Sequence, residues 1–167
     1  WLALGIMLVI GSLPYLRGIW RQAWNHNRTV SESSKSRLYR AAFIGLGVGA
    51  VLLLAFTTWM GMSAWLAIVF FAIYFVLAIA ITRVRAELGT PHEIYFVNPQ
   101  QIIVSLLGYN VIGPANLTLI SAMYWFNRGY RSHPMPNQLE SFKMAEGTGI
   151  KVGALVWVLM LAAFAGL

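Results

Sequence analysis

The sequence predicts an all-α protein, a polytopic transmembrane helix bundle of four to five membrane segments, and three observations carry that prediction. Only 10% of the residues are charged, against about a quarter in an ordinary soluble domain. No charged residue occurs from Ala41 to Thr82, and none from Ile94 to Asn127. A soluble protein of this size has too little interior to hide runs of that length, whereas a helix crosses the hydrocarbon core of a bilayer with roughly 20 apolar residues. The basic residues, finally, gather in the segments between the apolar runs, as they do where loop charge sets membrane orientation. That placement accounts for the net charge of +7 without a nucleic-acid partner. The partners expected are the lipid bilayer and other helices, of the same longer chain or of a membrane complex.

The first apolar segment spans about residues 1–16, with Pro14 as a kink or last turn. Residues 17–40 read as a loop carrying Arg17, Arg21, Arg28, Lys35, Arg37 and Arg40 against Glu32, with Trp20 and Trp24 as interfacial aromatics. A second span covers about residues 41–60. Its Gly45 and Gly49 have the small-xxx-small spacing that lets helices approach closely in lipid, so this face is expected to pack on a neighbouring helix. After a turn at residues 59–63, a bulky, aromatic third span covers about residues 64–82. Loop charge then places residues 17–40 and 83–100 in the cytoplasm and Gly61 outside.

Residues 101–126 break the pattern. They are apolar but interrupted by Gly108, Asn110, Gly113, Pro114 and Asn116. Proline and glycine both disfavour a continuous helix there. Two arrangements remain open: a re-entrant hairpin with its turn at 108–116 near the midplane, entering and leaving on one side, or a single kinked span. The net-positive flanks favour the first and ordinary helix geometry the second. Asn137 and Glu140 have capping-box spacing, predicting a short helix over residues 138–146 that ends at Gly147. A last span covers about residues 150–167. The chain starts and stops inside apolar runs, so it reads as one membrane-embedded segment over residues 1–167, an internal piece of a longer protein.

Candidate site residues are few. Asn110 and Asn116 lie in the broken segment, where amides need partners; they cap half-helices or contact a substrate. Glu87, His92 and Glu93 form the densest polar cluster, with Arg83 and Arg85. Their spacing matches no zinc motif, and a metal would need further ligands, so no metal is assigned; the cluster is juxtamembrane charge, a gate or a substrate contact. There are no cysteines, which excludes disulfides, iron–sulfur clusters and thiolate zinc sites. No HExxH, GxSxG or P-loop occurs, and no catalytic set or cofactor is expected.

The run Thr82-Arg-Val-Arg-Ala-Glu-Leu-Gly-Thr-Pro91, with Phe96-Val-Asn-Pro99 and His133-Pro-Met-Pro-Asn-Gln-Leu-Glu140, resembles a family of large uncharacterised bacterial polytopic membrane proteins, loosely similar to the oligopeptide transporter superfamily. The resemblance is strongest over about residues 82–146. It implies a bacterial cytoplasmic membrane and, by analogy alone, transport of peptides or metal chelates; it carries no catalytic residues over. The expected function is therefore part of a membrane transporter for a small solute. The alternative is a non-catalytic structural subunit packed against a larger membrane complex.

Overall fold

The computed structural model describes residues 1–24, 30–88, 97–127, 134–150 and 152–166. Among them are eight helices: α1 (Leu2–Trp24), α2 (Val30–Trp59), α3 (Ala64–Leu88), α4 (Pro99–Ile112), α5 (Pro114–Ala122), α6 (Tyr124–Asn127), α7 (Pro134–Thr148) and α8 (Val152–Ala165). The protein is all-α over these residues. Three helices, Leu2–Trp24, Ser36–Trp59 and Ala64–Glu87, are long and apolar enough to cross a membrane.

The segment read as a loop at 17–40 is largely helical: α1 runs on through Pro14 to Trp24, and α2 begins at Val30. Charge ends a membrane span but does not end a helix, because arginine and glutamine are good helix formers. The carbonyl of Ala23, near the end of α1, accepts Ser36 Oγ at 3.2 Å and an Arg40 guanidinium N–H at 3.2 Å, both from α2. These side chains satisfy a terminal carbonyl that a helix end otherwise leaves free.

The α2–α3 turn closes with glycine in the left-handed region. Gly61 has φ 97°; its N–H donates to Thr58 O and the next N–H, Met62, to Thr57 O, both at 3.0 Å, which is the Schellman arrangement. Ser63 then opens α3, its carbonyl accepting from Leu66 and Ala67. The same device ends α7 at Gly149 (φ 71°), where Ile150 N–H reaches Ala145 O. The helix expected over 138–146 is thus longer at both ends. Proline at its first position suits the N-terminus of a helix, and Asn137 and Glu140 lie inside it instead of capping it.

Helix α3 is the central element. Leu66, Phe70, Tyr74, Leu77 and Ile81 repeat at three- and four-residue steps and are buried, forming one stripe of the helix. The α4–α6 stretch packs there: Ile103, Ile112, Ile120 and Met123 join Leu66, Phe70 and Phe71 in one cluster, and Ile102 and Phe126 join Tyr74, Leu77 and Ile81 in a second. The opposite approach is made by α1, where a Cβ on Gly5 would meet the Val76 carbonyl oxygen at 2.6 Å. The close-packing glycine is therefore Gly5. At Gly45 and Gly49, whose spacing suggested a packing face, an added Cβ would meet nothing within 4 Å among the described residues. Their spacing marks a face smooth enough to pack, but no described residue lies against it.

Candidate functional site

Two neighbouring features carry the polar chemistry: the broken hairpin α4–α6 and the cleft where α7 meets the end of α3.

The hairpin is broken twice. Gly108 (φ 75°, ψ 161°) interrupts α4, and Gly113 (φ 78°, ψ 156°) separates α4 from α5. Glycine takes such angles without the steric cost a Cβ imposes. Pro114 follows as the first residue of α5, where its missing N–H costs nothing. The two ends of the hairpin meet, with Asn127 Nδ2 donating to Gln100 Oε1 at 2.6 Å. Its far end is tied to the α2–α3 turn by Asn116, whose Oδ1 accepts the Ser63 N–H at 3.0 Å. The Asn116 Nδ2 donates to Ser63 Oγ at 3.1 Å and to the Ile112 carbonyl at 2.9 Å. Asn116 is thus fully engaged as a clamp between two turns. Asn110 is exposed and its side chain makes no hydrogen bond among the described residues, so the two asparagines do not share a site.

At the hairpin mouth lie two amides that nothing in the sequence singles out. Asn98 and Asn127 are buried, and the side-chain carbonyl oxygen of each has no hydrogen-bond partner among the described residues. Asn98 sits at the N-cap of α4 without capping it. A buried acceptor left unpaired costs about 1–3 kcal/mol, and such atoms mark a place with unused hydrogen-bonding capacity. Their types are ordinary in sequence; only burial distinguishes them.

The cleft has a volume of about 700 Å³ and is lined by Thr82, Arg85 and Ala86 of α3 and by Pro136, Leu139, Glu140, Phe142, Lys143 and Glu146 of α7. That volume falls in the range of small-molecule sites, about 300–1,000 Å³. Arg85 bridges the two helices with a forked pair of hydrogen bonds to Glu140, Nε to Oε1 at 2.9 Å and a second guanidinium nitrogen to Oε2 at 3.3 Å. Planar guanidinium and carboxylate match in this geometry. Lys143 and Glu146, at the open rim of the cleft, pair at 2.8 Å and are largely exposed. Their hydrogen bond, reinforced by opposite charge, holds the Glu146 carboxyl below the usual carboxylate range and the Lys143 ammonium above the usual lysine value.

Of the polar cluster expected at 83–93, the described members divide between two partners. Glu87 pairs with Arg83 one turn away on α3, Nε to Oε1 at 2.6 Å, both well exposed. It does not line the cleft. Arg85, read from sequence as an orientation charge, is the residue that does. Glu140, read as a cap, is its partner 55 positions on in sequence; no local pattern announces a pair that distant. His92 and Glu93 lie outside the described residues. No group of three or more His, Asp or Glu side chains placed to hold a metal occurs among the described residues.

No curated protein and no solved structure matches the chain. A family model does match, from residue 1 to residue 167, and the chain belongs to that family, DUF6785, a family of unknown function.

Proposed function

We propose that this chain is part of a membrane transporter for a small solute, with α4–α6 a re-entrant hairpin. The observation that carries the reading is a helix broken at two positive-φ glycines while its ends are held together by the Asn127–Gln100 bond. Backbone without helical hydrogen bonds is tolerated at membrane depth only where it is buried in protein or lines a watery cavity. Broken helices of this kind are where many transporters bind substrate and coupling ions. The fourteen residues of α4 reach about 21 Å, short of the roughly 30 Å hydrocarbon core. The Asn116–Ser63 bonds tie the turn to the α2–α3 turn, which supports a turn beyond the midplane. The cleft at the opposite end of α3 adds charges of both signs and an apolar wall formed by Pro136, Leu139 and Phe142. That combination suits a zwitterionic solute, and the unpaired acceptors of Asn98 and Asn127 suit one with N–H donors; a peptide has both.

Single cysteines test the topology in membranes: with the hairpin re-entrant, Glu87→Cys and Asn137→Cys label from one side and Ser63→Cys from the other. Labelling of the first two from opposite sides makes 99–127 a crossing span and removes the geometric basis of the proposal. Uptake of a labelled tripeptide by vesicles containing the full protein tests the function, with Arg85→Gln expected to lower it at least tenfold and Glu87→Gln to leave it near wild type.

A second reading, a structural subunit of a larger membrane complex, draws on the exposed glycine face of α2 and on α8, which packs on α7 while Trp157, Val158 and Leu161 stay exposed. Co-purification of a stoichiometric membrane partner with no uptake of any solute supports it over transport.

A further inference from the structure

The described basic residues are treated in two opposite ways. Around α3 and α7 each described cation has a carboxylate: Arg83 has Glu87, Arg85 has Glu140 and Lys143 has Glu146. At the end of α1 and the facing part of α2, Arg17, Arg21, Arg37 and Arg40 are exposed, and none has a carboxylate partner among the described residues. Orientation by basic loops is indifferent to such pairing, so it does not explain the contrast.

The surroundings of the unpaired group are specific. Trp20 and Trp24 stack at 4.3 Å between ring centroids, and Phe43 of α2 meets Trp20 edge-on at 5.0 Å. Arg40 lies 6.0 Å over the Trp24 ring and donates to the Ala23 carbonyl. Half-exposed indoles of this kind sit at the headgroup level of a bilayer. Arg17 and Arg21 are four residues apart and share a face of α1. Arg21 lines an open groove of about 570 Å³, with Gln22 beside it at one end, Pro14 and Tyr15 at the other and Ile19 on its wall; Arg17 flanks it. Between the ends lies Gly18, where a Cβ would meet nothing within 4 Å. The seven steps from Pro14 to Arg21 rise about 10 Å. Beyond Pro14 the exposed face continues as Ile10 and Met7. The groove is cationic at the interfacial end and apolar toward the middle of the helix, the polarity of a phospholipid laid along it. The negative end of the α1 dipole, which would repel an anion, is covered at Ala23 by Ser36 and Arg40.

We infer that the Pro14–Gln22 groove is a binding site for an anionic phospholipid, its phosphate held by Arg21 in the groove with Arg17 one turn away at its edge, and its glycerol and acyl chain passing over Gly18. Forked guanidinium donors match phosphate oxygens, and basic residues near a membrane surface each strengthen anionic lipid binding.

The test is native mass spectrometry of the full protein from micelles holding equal amounts of phosphatidylglycerol and phosphatidylcholine with the same chains. The wild-type protein retains phosphatidylglycerol over phosphatidylcholine by about tenfold or more, as two arginines near the surface imply. Arg17→Gln/Arg21→Gln removes the preference. Gly18→Leu, which fills the groove at constant charge, also reduces it, and millimolar inorganic phosphate does not compete. Arg83→Gln, the same loss of charge on α3, leaves it unchanged. Equal retention of both lipids by the wild-type protein overturns the proposal without reference to any variant. So does an Arg83→Gln effect more than half that of Arg17→Gln/Arg21→Gln, which reduces the preference to net charge. An unaltered Gly18→Leu protein, or displacement of the lipid by free phosphate, overturns the groove as its seat.

Discussion

Helices α2 and α3 are both long and apolar enough to cross a membrane, yet half of the α3 window is buried inside the protein against 6% of the α2 window. One carries Phe70 and Leu66 with no exposed surface; the other carries Val51, Leu52 and Phe56 more than half exposed. In water that difference would be visible as a difference in hydrophobicity. In lipid it is not, because hydrocarbon is as apolar as leucine and helix association rests on packing, hydrogen bonds and close approach. The contrast teaches that α3 is held by shape and that α2 presents the same chemistry to whatever surrounds it.

The sharpest way to break the comparison is to cut large side chains from each region. Phe70→Ala opens a cavity against Ile103 and Ile112 and is expected to cost about 3–5 kcal/mol, while Trp59→Ala, at 85% exposure, is expected to cost little. Denaturant unfolding in detergent measures both, and comparable losses would mean that α2 is packed as tightly as α3. Close approach comes next. Gly5→Val forces a side chain into the Val76 backbone and is expected to cost more than the roughly 1–3 kcal/mol of ordinary overpacking, because a backbone cannot rotate aside. Gly45→Ala meets nothing within 4 Å and is expected to be neutral or stabilising by up to about 1 kcal/mol through helix propensity. A destabilised Gly45→Ala protein would place a partner on the α2 glycine face.

Smaller effects separate the two asparagines. Asn116→Ala leaves the Ser63 N–H without its acceptor, an expected loss of about 1–3 kcal/mol, with increased hydrogen exchange at the Ser63 amide. Asn110→Ala changes neither. The smallest expected effect lies at Lys143–Glu146. The Glu146 carboxyl titrates lower when folded than when unfolded, so its contribution is present above its unfolded value and fades as pH falls through the folded one. Lys143 titrates higher when folded, so its share is present below its unfolded value and is lost as pH rises through the folded one. The pair is therefore intact across neutral pH and opens toward either extreme. Because both groups are well exposed, Glu146→Gln should lower stability only slightly at neutral pH and flatten both limbs of the stability curve, since the Lys143 shift comes from Glu146; a loss at neutral pH as large as that of Asn116→Ala would show that the pair is shielded.

Several features were legible in the residues alone. The uncharged run from Ala41 to Thr82 reads as membrane-scale helices, Gly61 as a turn between them, and Gly108, Gly113 and Pro114 cannot continue a straight helix, since these follow from solvation and from backbone sterics that act within a few residues. The ends of α1 and α2 were not legible, because a charged residue leaves the bilayer without leaving the helix. Nor was the stripe of α3 that is buried, since the helix is apolar on every side. The Arg85–Glu140 bridge, the Asn116–Ser63 clamp, the buried carbonyls of Asn98 and Asn127 and the contact of Gly5 with Val76 belong to the tertiary structure. Each joins or encloses residues that are distant in sequence, and hydrogen bonding, burial and close approach are properties of the neighbour as much as of the residue.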